Sequence, residues 1–146
     1  MTTLMASVAA VSAGLFAGAA LYVSAVEHPA RMSCGPAIAI GEFRPSYKRG
    51  AIMQASLALL GSGAGFMVFW NQRDPWILVG SLLLLSVVPF TLLFILPTNK
   101  RLLDPALGSD SNHAVPLLTR WGRLHAARTA LGSLAFLIFL WRLTNG

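Results

Sequence analysis

The sequence predicts an all-α fold, a four-helix transmembrane bundle in which two long loops lie at the same end. The chain of 146 residues is 55% hydrophobic and only 11% charged. It contains three uncharged stretches that are long enough to cross a hydrocarbon core, which needs roughly 20 apolar residues. A fourth apolar stretch follows a basic segment near the C-terminus. We therefore expect a single membrane domain over residues 1–146, with helices at about 3–27, 48–71, 76–97 and 116–143.

The first apolar stretch is predicted to remain in the protein as a helix. It has no basic segment before it, and its apolar run is longer than that of a typical secretory signal. The second and third stretches are separated only by residues 71–75, Asn-Gln-Arg-Asp-Pro. This composition favours a tight turn, so helices two and three are expected to form a hairpin.

The fourth helix has to begin before its apolar segment. Only residues 129–141 are free of charge, which is too short to cross a membrane. Pro116 suits the first turn of a helix, where a proline costs no hydrogen bond. A helix from there to Leu143 carries four basic or titratable residues in its first half: Arg120, Arg123, His125 and Arg128.

Loop charges predict the orientation in the membrane. Most basic residues flank the loop after helix one or the loop after helix three: Arg31, Arg44, Lys48, Arg49, Lys100, Arg101, Arg120 and Arg123. Only Arg73 and Arg142 lie at the other end. The positive-inside rule then places both long loops in the cytoplasm and both termini outside. Because the cations border the spans, they indicate topology and contact with the lipid bilayer, and no nucleic acid partner is expected.

Small residues recur at helical spacing in two of the helices. Ala6, Ala10, Gly14 and Gly18 form one stripe, and Gly61 and Gly65 form a second pair. Such stripes let two helix backbones approach closely inside a membrane. They predict either packing within the bundle or a homo-oligomer.

Trp121, His125 and Arg128 share one face of the fourth helix, at positions i, i+4 and i+7. Ionisable groups at membrane depth are costly and normally point into the bundle or a watery cavity, where they often mark function. In the alternative reading, Arg128 snorkels to the headgroups and His125 only packs.

Further polar groups cluster at the same end of the bundle. Glu27 and His28 follow helix one, Glu42 precedes helix two, and Thr98 and Asn99 follow helix three. The acids are either part of a site or simply pair with nearby arginines. A metal site formed by Glu27, His28 and His125 is a weaker alternative, because no metal-ligand spacing is present. His113 is interpreted as a solvated loop residue.

Five features of the chain follow one another in an order that a known family shares. They are Gly14-Leu-Phe-Ala-Gly18, Pro29, Glu42-Phe43 with Tyr47, Leu96-Pro-Thr-Asn99, and Trp121-Gly-Arg-Leu-His125-Ala-Ala-Arg128. On these features the sequence resembles the anthrone oxygenase family of small four-span membrane proteins. Fungal members of that family oxidise anthrones to anthraquinones with molecular oxygen, and the elements around His28 and Ser46 look like its bacterial branch.

The resemblance implies an oxidoreductase, a monooxygenase that needs no cofactor, although a transition metal is not excluded. Its partners would be O2 and a lipophilic aromatic or quinol-like molecule. We predict His125 as the base, Arg128 and Asn99 as oxyanion stabilisers, and five residues that bind the substrate: Trp121, Tyr47, Phe43, Thr98 and Glu42.

The alternative function is a non-catalytic membrane scaffold or transport accessory protein that binds lipid headgroups or a partner through its basic loops. The two hypotheses predict different interiors. An enzyme should enclose a cavity lined by His125, Arg128 and Asn99, whereas a scaffold should pack these side chains against acids without a void.

Overall fold

The computed structural model describes residues 2–108 and 113–145, and it confirms the all-α prediction. Four helices are long and apolar enough to span a membrane: α1 (Thr2–Ser33), α2 (Pro36–Gln72), α3 (Pro75–Leu103) and α4 (Ala114–Asn145). The protein is therefore an integral, multi-pass membrane protein. Which end of the bundle faces the cytoplasm stays a prediction from the loop charges.

The first of the two predicted loops is much shorter than expected. Helix α1 continues through Pro29, and α2 begins at Pro36, so that only Cys34 and Gly35 join them. Gly35 has a φ of 86°, which a residue without a Cβ adopts at little cost. The sequence suggested that helix one ends near Pro29 and helix three near Pro97, whereas both helices continue through these prolines. The polar segment before residue 48 is thus part of the bundle.

The connection between α3 and α4 is the longer one. Helix α3 extends past Pro97 to Leu103, and α4 begins at Ala114. Residues 109–112 lie outside the described residues, while the neighbouring His113 is exposed.

Helices α1 and α3 each contain one π-helical turn, Val23–Glu27 and Thr91–Ile95. The amide after each turn bonds to a carbonyl five residues earlier, His28 to Val23 and Leu96 to Thr91. In both helices a proline follows that amide immediately. Proline has no N–H and cannot donate to the carbonyl four residues back. We attribute the wider turn before each proline to this missing hydrogen bond.

Residues four apart around each π turn share one face of the helix. In α1 the aligned residues are Val23, Glu27 and Arg31, and in α3 they are Thr91, Ile95 and Asn99. Polar groups near the loop end therefore lie on the inner face of both helices.

The helices are arranged as a ring. Helix α1 packs against α2 and α4, and α3 packs against the same two helices, so that α2 and α4 face each other diagonally. One apolar cluster, which includes Phe16, Leu84 and Phe139, fills the bundle toward the turn between α2 and α3. A second cluster, which includes Phe43 and Leu118, fills the loop end.

The small-residue stripes contact other helices of the same bundle. A Cβ on Gly14 would lie 2.9 Å from the Phe136 ring, and one on Gly61 would lie 2.7 Å from Leu84. Gly18 differs, since a Cβ there would have no neighbour within 4 Å. Most of the stripe is therefore used for packing within the chain, and a homo-oligomer stays a prediction.

Candidate active site

A cavity of about 450 Å³ lies between the four helices, in the half of the bundle nearer the loops. Its wall is mainly apolar, with polar side chains grouped on one part of it. The polar and aromatic residues of the wall are Phe16, Tyr22, Glu27, Arg31, Ser46, Tyr47, Gln54, Thr91, Asn99, Trp121, His125 and Arg128. Such a cavity suits a flat lipophilic molecule with a few polar groups.

The cavity reaches the outer surface of the bundle on its lipid-facing side. Tyr22, Met53 and Leu92 line it and are also well exposed, with 57%, 47% and 58% of their surface accessible. All three lie within membrane-spanning helices. A molecule dissolved in the bilayer can therefore approach the cavity without entering water.

Arg128 extends from α4 across the bundle toward α2. Its Nη2 donates to the Gln54 side-chain oxygen and lies 3.1 Å from Nε2 of His125, while Nη1 lies 3.5 Å from Thr91 Oγ1. The guanidinium carbon also lies 5.6 Å from the centre of the Phe16 ring. The snorkelling alternative is not what the structure shows, since the cation points inward.

His125 is held on both sides of its ring. Arginine can only donate, so the 3.1 Å contact with Arg128 makes Nε2 of His125 the acceptor and leaves the proton on Nδ1. Nδ1 can then donate to Ser24 Oγ at 3.0 Å, and Ser24 can donate to Thr129 Oγ1 at 2.9 Å. Thr129 completes the chain by donating to the His125 carbonyl at 2.9 Å. In this arrangement the acceptor lone pair of His125 holds Arg128 in place.

Arg31 is the second inward-facing cation, and its surroundings differ in charge. It is 5% exposed, and it pairs with Glu27 and with Glu42, whose Oε2 lies 2.7 Å from its Nε. Its guanidinium carbon lies 5.7 Å from the Trp121 ring centre. Within residues 2–108 and 113–145, no carboxylate pairs with Arg128. Arg31 is thus neutralised, whereas Arg128 presents an uncompensated positive charge beside the cavity.

Asn99 is fully buried, and neither its side-chain nitrogen nor its oxygen has a hydrogen-bond partner. It lines the cavity, as do Trp121 and Arg128, whose Nε1 and Nε atoms also lack partners. Buried polar groups are normally paired, because leaving one unpaired costs about 1–3 kcal/mol. Oxygen atoms of a bound molecule can accept from the N–H groups of all three residues, whereas Oδ1 of Asn99 needs a donor.

Five of the residues predicted for the site line one cavity: His125, Arg128, Asn99, Trp121 and Tyr47. The other three, Phe43, Thr98 and Glu42, do not line it. Phe43 lies behind the wall, stacked on Tyr47 at 5.6 Å between ring centres and edge-on to Trp121 at 5.1 Å. Thr98 is buried, and Glu42 pairs with Arg31.

The structure adds four residues that the sequence analysis did not assign to the site: Ser24, Gln54, Thr91 and Thr129. It also pairs Glu27 with Arg31, which one of the two readings of the acids expected. Gln54 could have been identified from the sequence, because a polar residue buried in an apolar span usually has a specific hydrogen-bond partner. Thr91 and Ser24 gave none, since hydroxyl groups are common in membrane helices and often bond to their own backbone.

The weaker metal alternative is not supported by the donor geometry. Within the described part of the chain, no three histidine, cysteine or acidic side chains converge as metal ligands would. The ring nitrogens of His125 face Ser24 and Arg128, and Glu27 faces Arg31.

Comparison with protein families gives a match over residues 43–138, to the family described as anthrone oxygenase. The chain belongs to the anthrone oxygenase family. The matched region includes Asn99, His125 and Arg128, and it leaves out all of α1. No curated protein and no solved structure matches the chain.

Proposed function

We propose that this protein is a membrane-embedded oxygenase that oxidises a lipophilic aromatic carbon acid or quinol-like molecule with O2. Membership of the anthrone oxygenase family supports oxygenase chemistry of this kind. The lipid-facing opening supports a substrate that partitions into the bilayer, where O2 is also concentrated. The apolar wall supports a flat ring system.

The reaction for an anthrone-like substrate balances without another reactant. Loss of a proton from the CH2 between the two aryl rings gives an enolate, whose electrons reduce O2 and form a carbon-bound hydroperoxide. Loss of water from this hydroperoxide leaves a new carbonyl group. One oxygen atom of O2 enters the product and the other becomes water.

The uncompensated charge of Arg128 is the observation that carries this proposal. Negative charge develops on the enolate oxygen, and a fixed cation in an apolar cavity stabilises it far more than the same cation would in water. Arg128 is fixed by His125, Gln54 and Thr91 before any substrate arrives. Asn99 offers a free amide to the same or a second oxygen.

The scaffold alternative predicted an interior without a void, with His125, Arg128 and Asn99 packed against acids. All three line the cavity, and the acids pair with Arg31. The geometry therefore favours an enzyme over a scaffold.

We expect His125→Ala to abolish O2 consumption while the protein still inserts and folds, because Arg128 loses the acceptor that orients it. His125→Gln should keep a measurable part of the rate, since its side-chain oxygen can accept from Arg128. The measurement is O2 uptake by purified protein in lipid nanodiscs with anthrone as substrate.

His113→Ala is the matched control, because His113 is exposed in the connection before α4. It should react at the parent rate. Activity of His125→Ala equal to that of the parent would refute any role of His125. Loss of activity in both the alanine and the glutamine variants would instead support the predicted role of His125 as the base.

A further inference from the structure

The cavity wall includes one carboxylate, Glu27, which is the last residue of the π turn in α1. Its Oε1 accepts from Arg31 and lies 3.5 Å from the Ser46 hydroxyl. Its Oε2 has no hydrogen-bond partner among the described residues, and the side chain is 27% exposed. Glu27 is thus part of the cavity wall, and one of its carboxylate oxygens has no hydrogen-bond donor among the described residues.

The other polar groups of the wall are less suited to accept a proton. The acceptor lone pair of His125 is directed at Arg128. Asn99 and Gln54 carry amides, Arg31 and Arg128 are permanent cations, and the tryptophan N–H can only donate. Tyr47 carries a phenolic hydroxyl, which donates as well as accepts.

We propose that Glu27 is the catalytic base, and that its Oε2 removes the carbon-bound proton of the substrate. This inference rests on the proposed function and assigns the proton transfer within it. Arg31 compensates the charge of the carboxylate, which permits an ionised acid at this depth. Base and cation are then separate residues, with Glu27 on α1 and Arg128 on α4.

Glu27 acts twice in a turnover that balances. It first takes a proton from the CH2 group, and the bonding electron pair becomes the enolate that Arg128 stabilises. After the enolate reduces O2, the peroxide anion takes the proton back from Glu27. Glu27 then removes the second carbon-bound proton as the O–O bond breaks, and the departing hydroxide accepts that proton to leave as water. The carboxylate ends as it began.

Glu27 reaches the cavity from the inner face of α1. It lies four residues from both Val23 and Arg31, and all three line the cavity. Glu42 also pairs with Arg31 but lies outside the cavity wall. The two acids therefore share a partner and differ in access to the substrate.

The test separates proton transfer from oxidation. Anthrone is incubated in D2O without O2, with protein in nanodiscs, and exchange of its CH2 protons is followed by mass spectrometry above the protein-free rate. The parent protein should accelerate the exchange. Glu27→Gln should lower the accelerated part at least about tenfold, since a general base typically contributes about 10²- to 10⁴-fold. Asp104→Asn should leave the exchange rate unchanged, since Asp104 is an exposed acid that follows α3 and does not line the cavity.

Glu27→Asp guards against a folding effect of the glutamine variant, because it keeps a carboxylate beside Arg31. It should exchange faster than Glu27→Gln. If Glu27→Gln exchanged as fast as the parent while the parent still oxidised anthrone, the base assignment would be overturned and the proposed function would stand. If the parent neither exchanged nor oxidised anthrone or another flat carbon acid, both would fail together.

Discussion

Replacing Arg128 with methionine is expected to lower kcat for O2-dependent oxidation by about 10²- to 10³-fold, the cost of removing one preorganised oxyanion donor in other enzymes. Methionine keeps much of the length of the side chain and removes the charge. The substrate should still enter the apolar cavity, so KM should change less than kcat. Steady-state kinetics in nanodiscs gives both constants.

Two further variants make the result specific. Arg123 lies on the exposed side of the same helix, so Arg123→Met should keep the parent kcat. Arg128→Lys keeps the charge but not the planar fork that reaches His125, Gln54 and Thr91, so it should fall between the parent and Arg128→Met. An unchanged kcat in Arg128→Met would remove the electrostatic basis of the proposed function.

Replacing Asn99 with leucine is expected to raise the stability of the protein and to lower its activity. The amide is fully buried and unpaired, so an apolar side chain of similar size removes a desolvation cost of about 1–3 kcal/mol. Activity should fall, because the substrate loses a hydrogen-bonding group. A residue kept for function at the expense of stability behaves in this way.

Thermal unfolding of the detergent-solubilised protein, followed by circular dichroism, measures the first effect, and O2 uptake measures the second. Thr98→Val is a suitable comparison, since Thr98 is equally buried on the same helix but does not line the cavity. A lower melting temperature together with normal activity in Asn99→Leu would mean that Asn99 serves packing and not substrate binding.

Much of the bundle could be predicted because membrane insertion makes hydrophobic length informative. The early start of α4 followed from the short apolar segment after Arg128, and that start places Trp121, His125 and Arg128 on one inward face. Periodicity alone was sufficient for this face, because the helix is regular over the whole region.

The π turns could not be predicted in the same way. Pro29 and Pro97 were interpreted as helix ends, whereas the helices accommodate them by a wider turn just before each proline. That choice depends on packing against neighbouring helices, which a single sequence does not contain. For the same reason the role of Glu27 depended on knowing that its side chain reaches the inner face.

The partners of Arg128 and Arg31 could be predicted only in part. Arg31 was used for topology and Arg128 was predicted as an oxyanion stabiliser, while pairing of the acids with nearby arginines was one of two alternatives. The structure separates them because Arg31 meets two carboxylates and Arg128 meets only neutral groups within the described residues. Contacts between helices decide which partner each arginine has, and the periodicity of a single helix carries no information about these contacts.

Isotopic labelling with ¹⁸O2 tests the central claim most directly, namely that the cavity beside Arg128 joins O2 to a lipophilic carbon acid. Anthrone is oxidised by the protein in nanodiscs under ¹⁸O2, and the product is analysed at once by mass spectrometry against a protein-free sample. We predict one ¹⁸O atom in each product molecule, formed at a rate that falls about 10²- to 10³-fold in Arg128→Met. Product that carries oxygen from water, or that forms equally fast without the protein, would contradict the account.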